Sequence, residues 1–382
     1  MKVKGVDLLI IQPTPFCNIN CDYCYLPERS NTQKISLDTV GLVIDSLVEN
    51  NMLGKRLSVV WHAGEPLVLS PSFYRPFFDL ISSKLLPINV SWQHSVQTNG
   101  TLITQEWCDF IIEMEIKIGV SIDGPKEVHD ANRKTRSGKG TFDKVMHGIQ
   151  LLRDNHINFH AISVVSKYAI DDPDSFFEFF YNSGIYDLGL NIEEVEGDHV
   201  QSSIFDTNLQ EKVKAFYSRL FDLYMASDKK MRIREFDRSL EAILRNPGEP
   251  DIKLLSTETH QNTPMAIVSL DYRGNYSTFS PELIGQPAPA YNNFILGNIH
   301  RDNFSSLQAN ELLKSMTGEI NAGIQKCREE CEYFYVCGGG APANKYFENG
   351  SFNSSETNYC KHNIKIPTEL VLSYLEENLA AW

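Results

Sequence analysis

The sequence predicts an α/β fold: a parallel sheet of six strand–helix units, followed by a separate cysteine-bearing segment. Three observations predict it. Short apolar runs alternate with stretches of helical spacing over roughly the first 210 residues, and strictly alternating units imply a parallel sheet. Polar motifs fall at the ends of successive apolar runs, where α/β sheets bind ligands. Cysteines fall in two groups near the two ends of the chain, with only Cys108 between them.

The elements follow in order. The run Leu8-Leu9-Ile10-Ile11 reads as a buried strand. Ser36 can cap a helix that carries Leu37, Val40, Ile44, Leu47 and Val48 at 3–4 spacing. A strand is expected over 57–61, a helix over 71–85, a strand over 90–96, a helix over 105–114 and a strand over 117–120. Thr141 is expected to cap a helix that runs to Asp154, before a strand over 159–165. A helix over 175–181 and a strand over 188–192 complete the sixth unit. Six units rather than eight suggest an incomplete barrel, open on one side. The expected division is 1–210 for the barrel, 211–260 for a helical bridge, and 261–382 for a cysteine-bearing domain ending in a helix.

A chain of 382 residues with 42% hydrophobic and 22% charged content is an ordinary globular protein with a large core. A net charge of −14 argues against nucleic-acid binding through bulk electrostatics. No run of eighteen apolar residues occurs, so no transmembrane helix is expected, and the start lacks the apolar stretch of a secretory signal. Eight cysteines in such a chain favour metal or redox use over disulfides.

The first strand leads into Cys17-Asn18-Ile19-Asn20-Cys21-Asp22-Tyr23-Cys24, three thiols at spacing C-x3-C-x2-C. Three thiolates on one tight loop can hold three irons of a [4Fe–4S] cube, leaving the fourth iron open to a small chelator. A zinc knuckle is the alternative, but zinc would want a nearby fourth ligand, and the next cysteine is Cys108. The spacing, with an aromatic before the third cysteine, resembles the radical S-adenosylmethionine (SAM) superfamily. There the open iron takes the amino and carboxylate groups of SAM. Such a cluster is oxygen-sensitive, so a reducing cytoplasm is expected.

The remaining strand ends extend the resemblance. The second carries His62-Ala63-Gly64-Glu65-Pro66, where the family usually has Gly-Gly-Glu-Pro against the SAM amino group; Ala63 replaces the first glycine, and His62 is assigned to the ribose. The third ends in Gln97-Thr98-Asn99-Gly100, the fourth in Ser121-Ile122-Asp123-Gly124-Pro125. Alternation puts Ser121 and Asp123 on one face, able to grip hydroxyls or a carboxylate. Arg133 can clamp the SAM carboxylate with two parallel hydrogen bonds. The resemblance also implies Tyr23, Thr98, Asn99 and Val164 at the SAM site. Singly each motif is weak; a Thr-Asn-Gly is usually a turn, a lone His usually a core residue, and a loop arginine usually solvated.

Near the other end stand Cys327-x3-Cys331-x5-Cys337 and Cys360. Four thiols can saturate one further cluster or a structural zinc. They resemble the SPASM extension of radical SAM enzymes, in which the matching set ligates an outer auxiliary [4Fe–4S] cluster. The inner cluster of that pattern would need cysteines where Ala341 and Phe279 stand, so two clusters in total are expected. Cys108 is expected to be a buried thiol.

SPASM-type enzymes mostly modify peptides. The blocks Asn191-Ile192-Glu193-Glu194-Val195-Glu196-Gly197 and 262–283 resemble maturases of glycine-rich-repeat precursor peptides, which form cyclophanes. The resemblance implies reductive cleavage of SAM to a 5′-deoxyadenosyl radical, loss of a hydrogen from a peptide β-carbon, and attack of that carbon on a nearby aromatic ring. Rearomatisation releases one electron, for which the auxiliary cluster is the implied acceptor, and one proton. Glu193, Glu194 and Glu282 are the candidate bases, and only one of the adjacent pair can face the interior of an extended strand. The implied partners are a precursor peptide and an electron donor such as flavodoxin or ferredoxin, with no nucleic acid and no membrane. No appended leader-binding domain is expected ahead of the first strand, so leader recognition would fall to the barrel, the helices near 207–245 or a separate protein. The rivals are a formylglycine-forming anaerobic sulfatase-maturating enzyme, against which Ser280 and the missing cysteine count, a radical SAM enzyme acting on a small molecule, and a non-catalytic, zinc-stabilised peptide-binding protein.

Overall fold

The computed structural model describes residues 5–204, 208–228, 230–244 and 259–379. Strand β1 (Val6–Ile11) leads to a three-residue strand β2 (Ile19–Cys21). Then come α1 (Leu37–Glu49), β3 (Leu53–Trp61), α2 (Pro71–Leu85), β4 (Ser91–Thr98), α3 (Gln105–Glu113) and β5 (Lys117–Ser121). The chain continues through α4 (Lys126–Asn132), β6 (Arg133–Thr135), α5 (Phe142–Asp154), β7 (Phe159–Val165), α6 (Pro173–Asn182) and β8 (Asp187–Ile192). After these lie α7 (Leu209–Ala226), β9 (Arg232–Ile233), α8 (Arg234–Leu244), β10 (Ile267–Leu270), β11 (Asn275–Thr278) and β12 (Gly297–Asn298). The last elements are α9 (Glu311–Glu330), the single turn α10 (Phe334–Cys337), α11 (Pro342–Asn349) and α12 (Ile366–Leu379).

Ten strands form one sheet in the order β12-β11-β10-β1-β3-β4-β5-β7-β8-β9, which ends on β12 and β9 without closing. From β10 to β9 every pairing is parallel, as alternating units require. The six expected strands, β1, β3, β4, β5, β7 and β8, run consecutively in it, flanked by β12-β11-β10 on one side and β9 on the other. The hairpin β10–β11 does not stand apart from them. Leu9 of β1 pairs with Val59 on one side and with Val268 on the other, so the sheet crosses the division expected at residue 261. Of the expected bridge, α7 and α8 are helical, while residues 245–258 lie outside the described residues.

Local chemistry explains most element starts. The Thr39 amide donates to Ser36 Oγ at 3.1 Å, the expected cap of α1. Pro71 occupies the first turn of α2, where its missing N–H is no loss. Thr141 holds the N-cap position of α5, as expected, but its side chain makes no capping bond. Its own amide and that of Phe142 donate to Asp130 Oδ1 at 2.7 and 2.8 Å, and its hydroxyl donates to the Arg133 carbonyl at 2.8 Å. A carboxylate from α4 thus serves the cap, and Thr141 ties the loop that carries Arg133. The core between sheet and helices is rich in rings: Trp61 of β3 meets Tyr74 and Phe77 of α2 edge-on at 5.1 and 5.6 Å. Cys108 is fully buried on α3, as expected. Among the described residues no helix is long and apolar enough to cross a membrane.

Candidate active site

The carboxyl ends of β1, β3, β4, β5, β7 and β8 open into one cavity of about 530 Å³. Its lining includes Cys17, Cys21 and Cys24, then 62–65, Thr98, Asn99, Ser121, Arg133 and Val164, and on the far side Glu193, Glu194 and Glu282. All expected SAM-site residues except Asp123 therefore meet in one place.

The cysteine loop is pinned from two sides. Strand β2 pairs antiparallel with β6, setting Cys21 opposite Arg133. Arg133 directs Nη1 at Cys21 Sγ (3.9 Å) and lies 5.3 Å over the Tyr23 ring. Asn99 Nδ2 reaches Cys17 Sγ at 3.8 Å and Asn18 Oδ1 at 2.9 Å. Burial pushes the Cys17 and Cys21 thiols up to about 12, so only cationic metal would draw off their protons near neutral pH.

Asp123 sits fully buried behind the wall. Its oxygens accept from Arg133 Nε (3.0 Å), the Val164 amide (3.1 Å) and Tyr23 Oη (2.5 Å). It organises three lining residues and does not itself line the cavity. Ser121, on its own strand, faces the cavity and accepts from Gln97 Nε2 at 3.1 Å.

Glu65 is a brace of the same kind. Oε1 accepts from Thr98 Oγ1 (2.6 Å) and the Leu67 amide (2.9 Å), and Oε2 from the Asn99 amide (2.7 Å). The 63–64 backbone also lines the cavity. Ala63 and Gly64 both take left-handed φ, +71° and +65°. At Gly64 a Cβ would lie 2.3 Å from the Thr14 carbonyl, so only glycine fits; Ala63 adopts a conformation that glycine would hold without strain. Burial lowers His62 to about 4, so the imidazole is neutral. Glu65→Gln is expected to destabilise the fold by about 1–3 kcal/mol, because the amide must turn an NH2 toward a donor; an unchanged denaturation midpoint would contradict this bracing role.

On the far side, Glu194, Glu196 and Glu282 converge. Asn344 Nδ2 donates to Glu194 Oε2 at 2.5 Å and to Glu196 Oε1 at 3.5 Å, and Ser280 Oγ donates to Glu282 Oε2. Burial raises all three carboxyls, Glu194 to about 8 and Glu282 to about 7, with mutual repulsion adding to the effect at Glu194 and Glu196. Glu193 points elsewhere: Oε1 accepts from the Ser203 amide (2.7 Å) and meets His199 Nε2 (2.9 Å), while Oε2 accepts from Ser203 Oγ. It ties down the 199–203 loop. Glu196 is the carboxylate that strand-end reasoning passes over; its two-residue spacing from Glu194 on extended chain was the available signal.

These raised carboxyls fix a pH dependence. Burial raises Glu65 to about 7, with Glu282 and Glu194 at about 7 and 8. Between their ordinary range and those values the folded chain holds more protons than the unfolded one, so stability falls as pH rises. The thermal midpoint is expected to drop between about pH 5 and 8, and Glu194→Gln is expected to flatten the slope. A midpoint that climbs over that window would contradict the assignment.

A second cavity, of about 250 Å³, is lined by Cys327, Cys331, Cys337 and Cys360. Thr357 Oγ1 donates to Cys360 Sγ (3.2 Å), Lys345 Nζ to Cys327 Sγ (3.3 Å), and the Gly339 and Gly340 amides face Cys337. Four thiols, three of them met by donors, fit an anionic metal–thiolate centre. Among the described residues no three His, Cys, Asp or Glu side chains close around one point as a single ion would need. Phe279 and Ala341 stand at the positions where a further cluster would need cysteines, both buried, and Phe279 takes a φ of +74°.

Known proteins resemble the chain in sequence and in fold. An uncharacterized protein of Synechocystis is 39% identical over 376 residues, covering 98% of this chain and 93% of its own. A serine-type anaerobic sulfatase-maturating enzyme of Bacteroides thetaiotaomicron is 28% identical, covering 86% of this chain and 81% of its own. The structure of anSMEcpe with bound AdoMet and the Kp18Cys peptide shares the fold with a TM-score of 0.76, at 21% identity and 98% coverage of both chains. The structure of Streptococcus suis SuiB bound to precursor peptide SuiA shares it with a TM-score of 0.63, at 14% identity, covering 94% of this chain and 76% of that one. The family model for the radical SAM superfamily matches residues 11–180, which hold the three-cysteine loop and the strand-end motifs. By these matches and that loop, the chain belongs to the radical SAM superfamily.

Proposed function

We propose that this chain modifies a ribosomally made precursor peptide, joining the β-carbon of one residue to the ring of a neighbouring aromatic residue to form a cyclophane. Membership of the superfamily implies SAM and one [4Fe–4S] cluster. Cys17, Cys21 and Cys24 would hold that cluster, and Cys327, Cys331, Cys337 and Cys360 an auxiliary one. With SAM bound, the first cluster supplies reductive cleavage and hydrogen-atom abstraction. Arg133, Tyr23, the 63–64 backbone, Thr98, Asn99, Ser121 and Val164 orient SAM, with Asp123 and Glu65 holding them in place.

The observation that carries the reading is the shared cavity. The cysteine loop and the Glu194–Glu196–Glu282 group line one space, so a peptide seated between them meets a hydrogen-abstracting centre on one side and proton acceptors on the other. Carboxyls at about 7 and 8 are matched to accept a proton near neutral pH. Two fold relatives have been seen with a bound peptide, which supports a peptide substrate. A flavodoxin or ferredoxin would donate the electron.

A second reading, formylglycine formation, is favoured by the 28% identity to the sulfatase-maturating enzyme. Co-expression with a precursor peptide and mass spectrometry separates the two. Cyclisation removes two hydrogens per crosslink and leaves no carbonyl for a hydrazide probe. A hydrazide-reactive product would establish the second reading, and an unaltered peptide would reject both.

A further inference from the structure

Lys345 of α11 is 3% exposed, and its ammonium lies 3.3 Å from Cys327 Sγ. A buried ammonium is costly without an anionic partner. The space for it is built into α9: a Cβ on Gly323 would come within 3.2 Å of Lys345 Nζ and 2.3 Å of the Phe352 carbonyl. The lysine stem also passes the opposite edge of the thiol set, 3.9 Å from where a Cβ on Gly340 would stand, itself 3.5 Å from Cys360 Sγ. The preceding residue, Asn344, faces the other way and binds Glu194 and Glu196. One short helix thus touches the carboxylates of the first cavity and the thiols of the second through adjacent side chains.

We propose that Lys345 sets the reduction potential of the auxiliary centre, holding it high enough to take an electron from the neighbouring cavity. This rests on the proposed function, in which the substrate radical loses one electron and one proton as the ring rearomatises. The proton goes to the Glu194–Glu196–Glu282 group. The electron reduces the auxiliary cluster by one unit, and a one-electron carrier of the ferredoxin or flavodoxin class reoxidises it. Net charge and hydrogen bonds to sulfur are the protein's levers on such potentials. A cation and donor at Cys327 favours the more negative, reduced state. Lys345 is a positioning residue here; it touches neither substrate nor SAM.

The test is an anaerobic redox titration followed by electron paramagnetic resonance, on the holoenzyme and on Cys17→Ala, where only the auxiliary signal should remain. Lys345→Met is expected to lower the equilibrium constant for reduction about tenfold, ~59 mV for a one-electron couple, with iron and sulfide content unchanged. Lys345→Gln, which retains a donor without the charge, is expected to fall with it, and carries the test should the Met variant not fold. Lys345→Arg is expected to stay close to wild type. A Met or Gln variant that holds its iron and titrates with wild type would overturn the proposal while leaving the proposed function intact. Zinc at the four thiols of wild type, read by metal analysis, would instead overturn the redox role on which it rests.

Discussion

Cys17→Ala is expected to abolish 5′-deoxyadenosine formation from SAM under dithionite, a loss greater than the 10–100-fold that removal of an outer partner costs. The thiol is one of only three in the loop, and no other cysteine stands nearer in sequence than Cys108. Asn99 and Arg133 direct donors at the sulfurs of Cys17 and Cys21 respectively. Under the proposed function, removing Cys17 would delete one of the cluster's three ligands. Chromatographic assay of 5′-deoxyadenosine checks the result, and cleavage at a wild-type rate would show that the loop does not hold the reactive cluster.

The second large effect separates the two halves of the cavity. Glu194→Gln combined with Glu196→Gln and Glu282→Gln is expected to lower crosslinked product by about 10²-fold or more, the scale of a lost general base, while SAM cleavage persists. The triple change is needed because the three carboxyls lie close enough to interact, so one can take over from its neighbour. Glutamine keeps the shape and the hydrogen bond to Asn344 or Ser280 within reach but cannot accept the proton. Uncoupled 5′-deoxyadenosine, formed without peptide modification, is the signature. Equal loss of both activities would assign the carboxyls to SAM binding or folding instead.

Much of this was legible in the sequence, for physical reasons that differ between elements. Strand β1 is a nearly continuous apolar run because a parallel sheet is buried on both faces; β4 and β8 carry several polar residues and were placed by the alternation of strands and helices, and α2 was bounded by Pro71 at its start. The cysteine loop and the strand-end motifs could be placed because strand ends are where α/β sheets present ligands. What remained hidden depends on direction and on long-range pairing. Strands β2 and β6 have three residues each, too few to show a period, yet their pairing sets Arg133 against Cys21. The pairing of β10 with β1 joins residues some 260 positions apart, and no local pattern encodes it. Residue type shows that Asp123 and Glu65 can accept hydrogen bonds, but not that Arg133, Tyr23, Thr98 and backbone amides use them all. For the same reason Glu193 looked equivalent to Glu194, although Ser203 and His199 draw it aside. Asn344 and Lys345 carry no motif; only the fold shows that adjacent side chains reach two different centres.

The most direct measurement uses a precursor peptide deuterated at the β-carbon of the residue to be joined, incubated anaerobically with reconstituted protein, SAM and dithionite. Deuterium should appear in 5′-deoxyadenosine, and the peptide should lose one deuterium and one ring hydrogen. Unlabelled 5′-deoxyadenosine beside a peptide of unchanged mass would contradict a cavity in which hydrogen abstraction and ring closure occur side by side.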